Sequence, residues 1–156
     1  LDICKNTSIS SLKDYVRGIF LNNKAEEAAV DEQIKDIHIK VADKKLPILS
    51  LSGGNQQKVV IGKGLLTKPK VLLLDEPSRG IDIGAKTEVF EIIHDLSERG
   101  LSIIVISSEL KEIMAIADRI YVLSNGKCTG ELAGDEINED TLVRTSYAGL
   151  GTGKSA

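Results

Sequence analysis

Four consecutive aliphatic residues, Val71-Leu72-Leu73-Leu74, end in two carboxylates and a proline, Asp75-Glu76-Pro77. Such a run predicts a buried strand covered on both faces, the situation of a parallel sheet. Beyond Pro77 the chain alternates helix and strand as that sheet requires. Residues 86–98 place Val89, Ile92, Ile93 and Leu96 on one helical stripe closed by Gly100. Residues 103–106 read as the second buried strand, 110–117 as a helix and 120–123 as a third strand. Asn125-Gly126 is a tight-turn dipeptide that returns the chain antiparallel over 127–132. A last helix is expected after Asn138, with Glu139 and Asp140 at its positive end. The fold class is therefore α/β.

Upstream, residues 8–39 read as a helical pair. Leu12, Val16, Ile19 and Phe20 share one face, and Ala29, Val30, Ile34 and Ile37 another. A helix is expected over 55–66, closed by Pro69.

Composition narrows the classes. The 156 residues are 42% apolar and 28% charged, enough for a compact core and too apolar for a disordered chain. Twenty Lys and Arg against 23 Asp and Glu, with no basic block, argue against nucleic acid as a partner. The longest apolar run is the five residues 113–117, far short of the roughly 18 a membrane-spanning helix needs. Cys4 and Cys128 lie far apart without metal-ligand spacing, so a reducing compartment is expected. The chain starts at Leu1 without a signal-like stretch and is expected to be a piece of a longer protein.

Two motifs carry chemistry. The Asp75-Glu76 pair stands at the C-terminal end of a predicted strand, where ligands of open parallel sheets bind. One carboxylate there can hold Mg²⁺ on a nucleotide while its neighbour polarises a water. Alone, the pair is equally an acidic exit from a strand. Leu51-Ser52-Gly53-Gly54-Asn55-Gln56-Gln57 ends 18 residues earlier and opens a helix. Its glycines permit close backbone approach, and a helix N-terminus favours phosphate. Alone, it reads most often as an ordinary helix-starting loop.

Taken together, these residues resemble the ATP-binding cassette (ABC) ATPase family, whose signature reads LSGGQ and whose Walker B strand ends in Asp-Glu-Pro. Gly80-Ile81-Asp82 is similar to the family's D-loop, and residues 118–126 to its terminal strand and hairpin. Gly53 to Lys58 with Pro77 to Lys86 look most like the second cassette of the ATP-binding subunit of bacterial simple-sugar importers. The resemblance implies a partial P-loop NTPase core with parallel strands, a terminal antiparallel hairpin and part of an α-helical subdomain. It divides the chain into the end of the helical subdomain (1–50), the second half of the ATP-binding core (51–134), and a C-terminal helix with a flexible tail (135–156).

The same resemblance assigns roles. Ser52, Gly53, Gly54 and Asn55 would touch ATP anchored on another cassette, Asp82 would line the same site, and Asp75 would serve Mg²⁺. Glu76 and Ser108 would act in catalysis. The family's partners are a second cassette, a membrane permease and, indirectly, a periplasmic or extracellular sugar-binding protein, with the ATPase peripheral on the cytoplasmic face of the membrane. A docking half-cassette without catalysis, and an ABC-type ATPase unconnected with transport, stay open as alternatives.

The chain departs from the pattern in two places. No glycine-rich phosphate loop precedes Leu51, so it reads as the second half of one cassette, inactive alone. Residues 148–155, Ala-Gly-Leu-Gly-Thr-Gly-Lys-Ser, nearly match such a loop but lack the strand before it and the helix after it. Ser108 occupies the position of the family's switch histidine. A serine hydrogen-bonds phosphate but carries no imidazolium charge, so weaker transition-state stabilisation is expected there. His38 and His94 are expected on the surface or on a helix face, Met114 in the core, and Lys35, Lys40, Lys44 and Lys45 on a solvated face.

Overall fold

The computed structural model describes residues 1–148, arranged as two compact units, one from Leu1 to Ile106 and one from Ser107 onward. Most of the glycine-rich near-match at 148–155, and the tail expected there, lie outside the described residues.

The first unit begins with helix α1 (Ile3–Ser8), a 3₁₀ segment (Ile9–Tyr15) and a short antiparallel hairpin, β1 (Val16–Arg17) with β2 (Phe20–Leu21). Helix α2 (Asn23–Asp36) comes next. The expected first helix of the pair is thus corrected. Gly18, at φ 65°, reverses the chain. Val16, Ile19 and Phe20, assigned to a buried helical face, are exposed, Ile19 at 90%. Helix α2 keeps the expected second face, but two polar residues share its buried stripe: Glu26, Val30, Gln33 and Ile37. Glu26 is fully buried and accepts from Lys5 Nζ and Ser8 Oγ, both at 2.6 Å, so its charge is paired rather than stranded.

Helix α3 (Gly53–Leu65), strand β3 (Val71–Asp75), helix α4 (Ile83–Glu98) and strand β4 (Ser102–Ile106) complete the unit. Strands β3 and β4 pair in parallel from Val71 opposite Ser102 to Asp75 opposite Ile106. Helix α3 ends at Leu65, four residues ahead of Pro69, whose ring has no N–H for the Leu65 carbonyl and would clash with it in a continued helix. The core is built from Ile3, Val30, Ile37, Val59, Ile61 and Val89, with Leu72 and Leu74 beneath them.

The sheet differs from expectation in one respect. Leu72 and Leu74 are buried, but Val71 and Leu73 on the opposite face of β3 are exposed, as are Ile104 and Ile106 of β4. Helices α3 and α4 cover one face only. An unbroken aliphatic run fits a strand destined for two covered faces, but within this unit a single helical layer is present.

The second unit holds helix α5 (Leu110–Ile116), strands β5 (Arg119–Ser124) and β6 (Lys127–Ala133), and helix α6 (Glu139–Ala148). The turn residues Asn125 and Gly126 both have positive φ, as a two-residue primed turn requires. Strand β5 pairs antiparallel with β6, so the parallel sheet among the described residues has two strands rather than the expected three. Ile120, Val122, Leu132 and Leu142 form the core of this unit, with Met114 packed against them as expected. The Asn138 side chain caps α6 by accepting from the Thr141 N–H.

Candidate functional site

Ser52 is the N-cap of α3, in extended backbone, yet its hydroxyl makes no capping bond to the helix. Serine at an N-cap ordinarily accepts an N–H from the first turn. Asp2, Asn22, Asp82 and Asn138 do this for their own helices. Ser52 Oγ instead lies 2.9 Å from Asn55 Nδ2, and Asn55 Oδ1 accepts the Lys40 backbone N–H at 2.8 Å. Ser52 and Gly53 are exposed, so hydroxyl and helix tip are open to a ligand.

The two glycines behind Ser52 differ in role. Gly53 is exposed and sits beside Gly80 and Ile81, so the loop after the Asp-Glu-Pro turn adjoins the signature tip. Gly54 is buried, and a Cβ on it would come within 2.5 Å of Ala85 Cβ in the first turn of α4. Close backbone approach at Gly54 therefore serves helix packing.

The carboxylate pair is placed as the strand predicted. Asp75 is exposed at the end of β3. Glu76 leaves the strand in left-handed backbone, φ 46°, a conformation costly for a residue with a Cβ. Its N–H donates to Ile106 O at 2.8 Å, and its carbonyl closes a turn with the Arg79 N–H at 3.1 Å. Pro77 and Ser78 are buried beneath it. Non-glycine residues held in this conformation concentrate at functional sites.

Asp82 accepts the Ala85 N–H at 3.0 Å, giving its carboxylate a capping role at the start of α4. Ser108 is exposed and belongs to the second unit, next to Ser107, whose hydroxyl donates to Glu112 at 3.2 Å.

The motifs gave no warning of a clamp behind the signature. Lys58, on the buried side of α3, donates to the His38 carbonyl at 3.1 Å and to Glu88 Oε2 at 2.7 Å. Lys40 Nζ reaches Glu88 Oε1 at 2.9 Å. The Lys58 hydrogen bond, then that of Lys40, holds the Glu88 carboxyl down to about 2. A lysine at a core-facing helical position was the available signal, since such charges are buried only when paired. Lys44 also departs from a solvated face: its side chain is mostly covered and bonded to Asp31 at 2.7 Å. His38 and His94 are exposed as expected.

Among the described residues no three His, Cys, Asp or Glu side chains gather as a metal cluster, and no helix is long and apolar enough to cross a membrane. A lone exposed carboxylate such as Asp75 fits Mg²⁺, which is commonly bound through one or two carboxylates plus substrate phosphates.

The first unit thus presents an exposed serine at a helix tip and an acidic pair at a strand end, the arrangement expected of a nucleotide-binding cassette. Residues 4–79 match the family described as ABC transporter. The chain is 41% identical, over its whole length, to the ribose import ATP-binding protein RbsA 2 of Rhizobium etli, covering 31% of that protein. It is 44% identical over 96% of its length to the xylose import ATP-binding protein XylG of Moorella thermoacetica, covering 29% of it. The chain thus spans about three-tenths of the length of these curated relatives. A nucleotide-free ATP-binding cassette from an ABC transporter superposes with a TM-score of 0.79 at 22% identity, over 97% of this chain and 63% of that one. A dimeric cassette bound to ADP and Pi gives 0.71 at 22% identity, over 85% and 56%. The chain belongs to the ABC ATPase family.

Proposed function

We propose that the chain is part of the ATP-hydrolysing subunit of an ABC importer for simple sugars, supplying a signature and a Walker B pair to ATP sites shared between two cassettes. The reading rests above all on Ser52, whose exposed, non-capping hydroxyl stands beside exposed Gly53 at the tip of a 13-residue helix. Its relatives' names supply the transport context.

In this reading Ser52 Oγ–H and the first-turn N–H groups of α3 donate to the γ-phosphate of an ATP anchored on a facing cassette, where the helix dipole adds attraction for the anion. Asp75 would hold Mg²⁺, whose charge would offset that of the phosphates. Glu76, in its left-handed turn, orients and polarises the attacking water at this chain's own site. Ser108 donates a hydrogen bond to phosphate without a positive charge, which leaves that site slower than the one completed by Ser52. The partners are a second cassette, a permease and, through it, a sugar-binding protein, placing the subunit on the cytoplasmic face of the membrane.

Three charge-assisted bonds at about 1.5–3 kcal/mol each set against an association cost of about 4–15 kcal/mol leave little or nothing for affinity. The isolated chain should therefore show no micromolar ATP binding by calorimetry. In the subunit assembled with its permease, Ser52→Arg should lower ATPase turnover by about 100-fold, while Glu76→Gln should retain most of it. Abolition by Glu76→Gln with Ser52→Arg intact would overturn the assignment.

A further inference from the structure

We infer that Asn55 is a positioning residue that sets which way the Ser52 hydroxyl points its proton, and that the segment 38–40 holds Asn55 in place to do so. The inference rests on the proposed role of Ser52 and deepens it.

The direction of every bond in this chain of contacts is determined by chemistry. A backbone N–H can only donate, so the Asn55 amide end 2.8 Å from Lys40 N is the oxygen. The other end is then the NH₂ group, which only donates, and it lies 2.9 Å from Ser52 Oγ. Ser52 must therefore accept from Asn55. Its own proton, set at the hydroxyl bond angle, is turned away from the amide. Because the oxygen makes no capping bond to α3, the hydroxyl is left as a donor on an exposed tip. A free hydroxyl rotor would sample several directions; this one is restricted before any phosphate arrives, as preorganised donors are.

The anchor is itself held. The His38 carbonyl receives Lys58 Nζ, and Lys40 Nζ bonds to Glu88, which Lys58 also holds. Two bonds thus tie residues 38–40 to α3 and α4, on either side of the N–H that orients Asn55. Asparagine suits this span because its short amide reaches both partners at once from position N3 of the helix.

The test is a double-mutant cycle in the subunit assembled with its permease, reading kcat and KM for ATP. Asn55→Ala should lower kcat about tenfold with KM changed by less than about twofold, since the nucleotide is anchored elsewhere. In a Ser52→Ala background the same change should cause no further loss. Asn55→Asp keeps the acceptor for Lys40 N–H but offers Ser52 an acceptor in place of a donor, drawing its proton inward, and should lower kcat at least as far. Equal losses from Asn55→Ala in both backgrounds would overturn the inference, as would a raised KM with unchanged kcat, which would make Asn55 a direct nucleotide contact. An unaffected Asn55→Ala alongside an inactive Ser52→Ala would overturn it while leaving the proposed function standing. An active Ser52→Ala would instead remove the proposed function. If Asn55→Ala fails to fold, the Asn55→Asp variant carries the same cycle.

Discussion

Gly54 and Ala85 meet so closely that a Cβ on the glycine would lie 2.5 Å from the alanine Cβ, well inside any real contact between side chains. The start of α3, which carries Ser52, is thereby locked to the start of α4, just beyond the Asp-Glu-Pro turn. Gly53 differs, because the nearest atom to its added Cβ would be Ile81 Cγ2 at an ordinary 3.4 Å.

Gly54→Ala should therefore destabilise the fold by about 1–3 kcal/mol, the range for overpacking a rigid site. Gly53→Ala should leave stability nearly unchanged while weakening phosphate approach. Adding Ala85→Gly to Gly54→Ala should recover about half or more of the loss, less the cost of a helical glycine. Urea denaturation of the three variants against the parent checks this, and an unaffected Gly54→Ala would refute the packing role.

Much of the fold could be read from the chain because its signals are local. Asn125-Gly126 encodes a turn and Val89 to Leu96 a stripe, each within a few residues. The hairpin around Gly18 was hidden because Val16, Ile19 and Phe20 have helical spacing yet lie on the surface, where burial no longer ties period to structure. In the site, Ser52, Asp75 and Glu76 were legible as motif positions. The clamp was not, because Glu88 meets Lys58 and Lys40 across 30 and 48 residues of sequence. The different duties of Gly53 and Gly54 were equally hidden, since only the approach of α4 separates them.

Glu76 carries a testable cost of its conformation. At φ 46° any residue with a Cβ is disfavoured, whereas glycine is not. Glu76→Ala and Glu76→Gly both remove the carboxylate and every contact it makes, so their difference isolates the backbone. The glycine variant should be more stable by about 1 kcal/mol. Equal stability by thermal denaturation would show that the turn relaxes when the side chain is gone.

Glu88 should give the first unit an acid-sensitive component. Its folded value, about 2, lies below the ordinary 4.5, so its ion pairs contribute fully above about pH 4.5 and fade as pH falls toward 2. The side chain is 39% exposed, and water screens the pairs, which limits the contribution. Glu88→Gln leaves the buried Lys58 ammonium without its carboxylate and should cost about 1–2 kcal/mol at pH 7. That difference from the parent should shrink through the window from 4.5 to 2. A difference independent of pH would mean that the pairs do not titrate with folding.

Gln33 offers a change in the opposite direction. Its Nε2 is buried with no hydrogen-bond partner among the described residues, and its Cγ packs against Gly62, where an added Cβ would lie 3.1 Å away. The helices α2 and α3 therefore approach at a point where one member carries a donor stripped of water, a loss that packing only partly offsets. Gln33→Met preserves the length and much of the volume of the side chain and removes the donor. It should raise stability by about 1–2 kcal/mol, whereas Gln33→Glu, which places a charge in the same gap, should lower it by at least as much. Denaturant midpoints of the two variants read the sign directly. If the methionine variant were the less stable, the amide would be satisfied in solution by ordered water, and the α2–α3 contact would be wet rather than dry.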